Sequence, residues 1–282
     1  MRFGASTFIW ASPFSNKTLD LVNRAKDFGF DIIEICVEDP STIDTTAIRG
    51  RMEKVGIAAT VCGAFGPDRD LSSDDESVRE NGIAYVSRCS QIAEALGANV
   101  VVGPMYSAVG RTRMAELAER AAQRALAARS IRRVADDAAK RGVRLAIEPL
   151  NRFETDLVNT VDQGIALLDE IERENVGLLL DTFHMNIEEK NIPDALRRAK
   201  GRLFEFHACS SDRGTPGEDH LPWSEIVRAL KDISYADAVV IEAFTPEIKE
   251  IARAVSIWRP LARSQDVLAR DGLAFLKKAF NA

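Results

Sequence analysis

Short apolar runs rich in β-branched residues alternate with longer segments of helical periodicity along the chain. Apolar residues spaced three and four apart, as in LDLVNRAKDF and AIRGRMEKVG, are typical of amphipathic helices. Shorter, mostly apolar runs predict buried strands. The runs lie at 2–9, 31–36, 58–63, 98–103, 143–148, 176–181, 203–208 and 238–243. The pattern therefore predicts strands that alternate with helices.

Glycine or asparagine precedes most of these strands, in FGFD, VGIA, LGAN, RGVR, NVGL and KGRL. Such residues are common where a helix ends. Eight strands, each followed by helix, within about 250 residues predict a (β/α)8 TIM barrel of the α/β class. Residues 245–282 predict two helices separated by RPLARS, so we expect an extra C-terminal helix. Because no Pro/Gly/Ser-rich linker divides the chain, we predict a single domain over 1–282.

Composition narrows the range of partners. The net charge of −6 disfavours a nucleic-acid partner, since phosphate binding needs a basic surface. No apolar run approaches the roughly 18 residues of a membrane helix, and the N-terminus MRFGASTFIW lacks a signal-peptide pattern. The four cysteines form no CxxC pair, so we expect buried, reduced thiols. These features predict a cytoplasmic protein with no membrane partner.

Four consecutive strands end in side chains that can bind a metal. Strand five ends at Glu148 before a proline, strand six at Asp181, strand seven at His207 and strand eight at Glu242. The C-terminal ends of barrel strands converge at one mouth, where active sites of this fold lie. A single carboxylate at a strand end is more often a helix cap or a solvated loop residue. Four such ends in succession favour a shared metal site.

The chemistry of this set narrows the metal. Three crowded carboxylates repel each other strongly unless a cation lies among them. One imidazole and three carboxylates, without thiolate, suit an octahedral divalent ion better than tetrahedral structural zinc. The sequence thus predicts Mn²⁺, Mg²⁺ or Co²⁺.

Loops over the same mouth supply further polar side chains. Glu154 lies in EPLNRFE after strand five, His184 in DTFHMN after strand six, and Arg213 in HACSSDRG after strand seven. Together they predict a polar site for a small polyhydroxy substrate. His220 has no such context and is interpreted as a loop residue.

These motifs resemble a known family. EPLNRFE, LDTFHMNIEE, the His/Arg/PGE/LPW pattern, IEAF and RAVSIWR look like the D-tagatose 3-epimerase/D-psicose (D-allulose) 3-epimerase group of ketose 3-epimerases, in the xylose-isomerase-like barrel superfamily. GFDIIEI marks only the superfamily. The resemblance covers nearly the whole chain from the second strand onward. It departs where relatives often carry Gly-Glu before the arginine and this chain reads ACSSDR.

The resemblance implies roles for these positions. Metal ligands would be Glu148, Asp181, His207 and Glu242, with one divalent ion per subunit, Mn²⁺ first and Co²⁺ or Mg²⁺ as alternatives. The paired acid and base would be Glu148 and Glu242. Substrate binding near C1 and C2 would fall to Glu154, His184 and Arg213. A homodimer or homotetramer acting on a ketose of the D-tagatose, D-psicose/D-fructose or L-ribulose type is also implied.

The expected reaction inverts C3 of a free ketose. One glutamate removes the C3 proton to give an enediolate, and the other returns a proton on the opposite face. The strand-eight loop AFTPEIKE is acidic and lacks glycine, which favours a free sugar over a phosphorylated one.

Three alternatives stay open. An aldose–ketose or hydroxypyruvate-type isomerase would share most of this site. An endonuclease IV-like phosphodiesterase would need more histidines, and a sugar-binding protein on an inactive barrel would not need intact ligands.

Alternation along the strands also predicts an ion pair. Arg144 and Glu205 fall on the inward face of strands five and seven, so we expect them to pair inside the barrel.

Overall fold

The computed structural model describes residues 1–281 and shows a closed barrel of eight parallel strands. The strands follow each other around the barrel in chain order, and β1 pairs with β8 to close it. Their bounds are β1 Arg2–Ser6, β2 Ile32–Val37, β3 Ala58–Gly63, β4 Val100–Gly103, β5 Arg144–Ile147, β6 Val176–Asp181, β7 Leu203–His207 and β8 Ala238–Ile241. The predicted (β/α)8 barrel is confirmed.

Helices surround this barrel. Within residues 1–281 the α-helices are α1 Leu21–Asp27, α2 Thr45–Val55, α3 Glu76–Leu96, α4 Leu117–Lys140, α5 Val161–Ile171, α6 Thr182–Glu188, α7 Ile192–Arg198, α8 Trp223–Asp232, α9 Lys249–Ala254 and α10 Gln265–Asn281. The two helices predicted after strand eight are α9 and α10; residue 282 lies outside the described chain. No helix among these residues has the length and apolar character needed to cross a membrane.

Most predicted strands agree with the structure to within a few residues, but the first is shorter than expected. The Ser6 hydroxyl accepts a hydrogen bond from the N–H of Phe8 and caps a 3₁₀-helix, Thr7–Ile9, which ends the strand. Helices α2 and α3 end at Gly56 and Gly97 in the left-handed conformation, as the glycine pattern predicts.

The NVGL motif has a different basis. Helix α5 ends at Ile171, six residues before Gly177, and is capped by Glu172, which itself adopts the left-handed conformation. Gly177 lies inside β6, where a Cβ would approach the carbonyl oxygen of Arg202 to 2.6 Å. This glycine is therefore explained by close packing, and not by a helix end.

The core has two layers, as expected for a sheet closed on itself and covered by helices. Residues such as Ile33 and Ile35 of β2 pack outward into the large cluster shared with the helices. Inside the barrel, a smaller apolar cluster includes Val102, Ala146 and Leu179. Fully buried polar side chains lie in the same interior, so the inside of the barrel is not purely apolar.

The predicted pair of Arg144 and Glu205 is wrong. Arg144 forms an ion pair with Asp237, with Nη2 3.0 Å from Oδ1, and lies over the ring of Phe204. Its side chain is 28% exposed, whereas that of Glu205 is fully buried. Alternation along a strand gives the face of the sheet that a side chain occupies, but not its height in the barrel.

The C-terminal helix supports the loops at the barrel mouth. Gln265 at the start of α10 donates from Nε2 to the carbonyl oxygen of Ile9, 2.8 Å away, and to that of Phe244, 3.2 Å away. The ring of Phe244 in turn packs against that of Phe8. The extra helix thus helps to hold the segment that follows β8.

Candidate metal and active site

The structure brings the four side chains at the ends of strands five to eight to one point. Ligand atoms of Glu148, Asp181, His207 and Glu242 all lie within 4.8 Å of one another. All four residues are buried, with His207 completely so. Asp181 and His207 end β6 and β7, and Glu148 and Glu242 directly follow β5 and β8. The parallel strands end side by side around the closed barrel, and this brings the four side chains together.

Asp181 uses its two carboxylate oxygens differently. Oδ1 accepts a hydrogen bond from the N–H of Phe183 at 2.7 Å and so caps helix α6. Oδ2 points into the site and accepts from Nη1 of Arg213 at 2.6 Å. The residue is therefore a helix cap and a site residue at the same time.

The His207 ring contacts carboxylates through both of its nitrogens. Nε2 lies 3.0 Å from Oε2 of Glu34 and 3.6 Å from Oε1 of Glu205. Nδ1 faces the candidate metal site, 3.6 Å from Oε2 of Glu242. Burial by itself lowers the pKa of this imidazole, but Glu34, Glu205 and Glu242 together raise it well above its ordinary value.

Arg213 is buried among the same carboxylates. Its Nη1 donates to Oδ2 of Asp181 and, at 2.9 Å, to Oε2 of Glu242. The guanidinium lies over the ring of Phe183, 4.2 Å from its centroid, and near that of Phe244. Its backbone adopts a φ of 68°, which is unusual for a residue other than glycine. The loop after β7 thus holds a fixed cation against two carboxylates.

His184 is held by the loop after β5. The backbone N–H and the side-chain amide of Asn151 approach Nδ1 at 3.1 and 2.9 Å. Since a backbone N–H only donates, Nδ1 is the acceptor and the proton of a neutral ring lies on Nε2. That nitrogen is 3.6 Å from Oε1 of Glu148 and 3.1 Å from Nη2 of Arg213. Burial first, then Arg213 and His207, lowers the pKa of His184 well below its ordinary value, so the ring stays neutral.

The two glutamates differ in their surroundings. Burial and the nearby charge of Glu242 raise the pKa of Glu148 well above its ordinary value. Burial also acts on Glu242, but Arg213 and His207 outweigh it and lower its pKa. Glu154 accepts from Nδ2 of Asn151 at 2.8 Å, and burial raises its pKa. One site therefore places carboxylates of different basicity near each other.

The donor set fits a divalent cation. Oε1 of Glu148 and Nδ1 of His207 are buried and have no hydrogen-bond partner among the described residues. Both atoms belong to the converging group, and buried polar atoms without a hydrogen-bond partner are rare unless a ligand satisfies them. Three carboxylates and one imidazole match the ligands that Mn²⁺, Co²⁺ or Mg²⁺ takes.

Sequence reasoning missed three residues of the site. Glu34 belongs to GFDIIEI, which marks only the superfamily, although a charged residue within the apolar run DIIEIC is a signal. Asn151 lies in EPLNRFE, where only Glu148 and Glu154 have predicted roles. Cys209 lies in the segment where the motif departs; its thiol is 3.2 Å from Oδ2 of Asp181. His220 lies in an exposed loop, as expected.

The fold and site together define an α/β-barrel enzyme with a carboxylate-rich centre at the C-terminal mouth of the barrel. A family model described as xylose isomerase-like TIM barrel matches residues 22–279. The chain belongs to this family, within its ketose 3-epimerase group, and is thereby an isomerase. The resemblance read from the motifs is confirmed.

Similar proteins cover almost the full chain. A protein of Synechocystis sp. named "Probable ketose 3-epimerase" is 38% identical, over 99% of this chain and 97% of its own. The D-psicose 3-epimerase of Agrobacterium fabrum is 34% identical, over 98% of each chain. The crystal structure of D-allulose 3-epimerase from Methylomonas sp. in complex with D-allulose superposes with a TM-score of 0.93 at 30% identity, covering 99% of this chain and 97% of that one.

Proposed function

We propose that this protein is a metal-dependent ketose 3-epimerase that inverts C3 of a free ketose of the D-tagatose, D-psicose/D-fructose or L-ribulose type. The observation that carries the proposal is the pair of glutamates, Glu148 and Glu242, in one buried group that also contains Asp181 and His207. Inversion at a carbon requires a proton to leave from one face and return to the other. Two carboxylates in one site are the smallest set of groups that does this.

Each glutamate would act on one face of C3. The first takes the proton as a carboxylate, and the second, as a carboxylic acid, returns one. The different surroundings of Glu148 and Glu242 support such a division, since a base and an acid need different proton affinities. For the reverse reaction the two exchange roles.

Neighbouring donors would stabilise the enediolate between these steps. The Nε2–H of neutral His184 and the Nη2 of Arg213 lie 3.1 Å apart in the site. N–H groups fixed in a buried site stabilise a developing oxyanion because they are already oriented before the reaction. Glu154, His184 and Arg213 would bind the substrate near the C1–C2 end of the ketose.

One divalent ion per subunit would be held by the four converging residues, Glu148, Asp181, His207 and Glu242. We expect Mn²⁺ first, with Co²⁺ or Mg²⁺ as alternatives. Such an ion polarises the ketose carbonyl when bound. The protein's own contribution is to exclude water from these side chains, which are buried. The homodimer or homotetramer expected from the resemblance is part of the proposal, and size-exclusion chromatography with light scattering tests it.

The test is incubation with Mn²⁺ and a panel of free ketoses in D₂O, followed by NMR. We expect deuterium at C3 and appearance of the C3 epimer, with activity lost in EDTA and restored by Mn²⁺. Deuterium at C1 or C2 with an aldose product would instead support the aldose–ketose isomerase. Activity that is indifferent to chelation would refute the metal-dependent mechanism.

A further inference from the structure

Glu34 is a fully buried carboxylate that the proposed reaction does not use. It lies in the middle of β2, a strand whose six residues are all buried. Its Oε2 is 3.0 Å from Nε2 of His207 on β7, across the barrel interior, and its Oε1 has no hydrogen-bond partner among the described residues. Burial of a charged carboxylate costs free energy unless a partner compensates the charge. The contact between Glu34 and His207 therefore needs an explanation.

We propose that Glu34 is a positioning residue, which accepts the Nε2 proton of His207 and thereby fixes Nδ1 as the atom that binds the metal. The inference rests on the metal site of the proposed function and adds the residue that orients one of its ligands. Glu34 does not touch the substrate or the metal in this scheme, and it acts only through His207.

The chemistry of imidazole supports this assignment. A neutral ring carries one N–H, so a proton on Nε2 leaves a lone pair on Nδ1. Nδ1 is the ring atom that faces Glu242, at 3.6 Å, and it is also the one without a hydrogen-bond partner within residues 1–281. If the proton lay on Nδ1 instead, Nε2 would direct a lone pair at the Glu34 carboxylate, and Nδ1 would be lost as a ligand. The carboxylate therefore selects the productive tautomer and holds the ring plane.

Glu205 is a second buried carboxylate near the same nitrogen, and it provides a control. Its Oε1 is 3.6 Å from Nε2 of His207, beyond hydrogen-bond distance, and 3.4 Å from the hydroxyl of Thr60. Both glutamates are completely buried, and they differ in their distance from His207. The substitution Glu205→Gln should therefore disturb metal binding less than Glu34→Gln.

The experiment compares Glu34→Gln, Glu34→Ala and Glu205→Gln with the parent protein. Mn²⁺ affinity is measured from the EPR signal of free Mn²⁺, with no substrate present, and circular dichroism verifies folding. Loss of a carboxylate that orients a metal-binding histidine typically weakens the metal by about 10- to 100-fold. We expect this range for Glu34→Ala, a smaller loss for Glu34→Gln because its amide oxygen still accepts, and less than about 3-fold for Glu205→Gln. If Glu34→Ala does not fold, the nearly isosteric Glu34→Gln decides the comparison with Glu205→Gln.

A spectroscopic readout reports the tautomer directly. The chain has three histidines, so ¹⁵N–¹H spectra of the imidazole rings in the Mg²⁺-loaded protein are simple to assign. We expect a protonated Nε2 and an unprotonated Nδ1 for His207 in the parent, and a population of the other tautomer in Glu34→Ala.

A parent ring protonated at Nδ1, or Mn²⁺ affinity within twofold of the parent in both Glu34 variants, would overturn the inference. A Glu205→Gln loss equal to that of Glu34→Gln would do the same. If the parent itself binds no Mn²⁺, both the proposed function and this inference fail. If the parent binds Mn²⁺ and the Glu34 variants bind it equally well, only this inference fails.

Discussion

Nη1 of Arg213 lies 2.6 Å from Oδ2 of Asp181, and both side chains are almost completely buried. The same nitrogen contacts Oε2 of Glu242, so one guanidinium partly offsets the charge of two of the four candidate metal ligands. Arg213 comes from the loop after β7, whereas the carboxylates end β6 and follow β8. The ion pairs of Arg213 therefore link the loop after β7 to the C-terminal ends of β6 and β8.

Replacement of Arg213 by methionine is expected to destabilise the protein in EDTA by about 3–5 kcal/mol, because breaking a buried ion pair leaves uncompensated charge. In excess Mn²⁺ the loss should be smaller, since a dication offsets the same carboxylates. Urea unfolding under both conditions measures this difference. Arg197 also contacts two carboxylates, Asp194 and Asp232, but on the surface. Arg197→Met should cost no more than about 1 kcal/mol in either condition. Equal losses for the two variants would contradict the assignment.

The two glutamates are predicted to act on opposite epimers. In Glu148→Gln one epimer of a ketose pair should still exchange its C3 proton with D₂O, and in Glu242→Gln the other should, because each variant keeps one base. Interconversion should fall by at least about 100-fold in both, the usual scale for a lost general base. Proton NMR of each pure epimer measures the exchange, and bound Mn²⁺ is quantified to separate lost metal from lost base.

Glu225→Gln, which changes an exposed glutamate of α8, is the control and should keep full activity. Exchange of the same epimer by both variants would argue against a two-base mechanism.

Much of this site follows from simple rules applied to strand ends. Period-two alternation and the convergence of parallel strands suffice to predict that Glu148, Asp181, His207 and Glu242 face one point. These rules need only the local pattern of each strand and the closure of the barrel. They do not require the relative heights of the strands.

The Arg144–Glu205 prediction failed because it depends on the relative heights of the two residues in the barrel, which these rules do not give. Ile147 is level with Leu178, and Leu178 with Leu203. Past a register shift, Glu205 pairs with Leu179, one residue above that level, whereas Arg144 is three residues below it, a separation of four residues or about 13 Å at about 3.3 Å per residue. The sequence does not reveal this offset, because it arises from the tilt and stagger of the strands. The contact of Glu34 with His207 across the barrel escaped prediction for the same reason.

The four cysteines are expected to be unreactive in the folded protein. All are free and buried, as the sequence predicts. Burial raises the pKa of Cys89 to about 12 and that of Cys209 well above its ordinary value, so the reactive thiolate is scarce at neutral pH. Ellman's reagent at pH 8 should label none of them within minutes, and all four after unfolding in guanidinium chloride. Rapid labelling of one thiol in the native protein would show that the structure exposes a site that we describe as closed.

The neutral state of His184 predicts a specific pH dependence of stability. Because its pKa is lowered in the folded protein, the unfolded chain binds a proton below about pH 6.5 that the folded chain does not. The stability contributed by the buried neutral ring is therefore complete above pH 6.5 and is lost as the pH falls. Relative to His184→Gln, the parent should lose about 1 kcal/mol of unfolding free energy between pH 6.5 and 5.5.

Urea unfolding of both proteins in EDTA at several pH values measures this difference. At pH 8 His184 is neutral in both the folded and the unfolded parent protein. The difference in unfolding free energy between the parent and His184→Gln at that pH therefore gives the packing cost of the substitution alone. A difference that stays constant from pH 8 to 5.5 would mean that His184 takes up a proton in the folded protein, and a charged ring would not act as the neutral N–H donor of the proposed reaction.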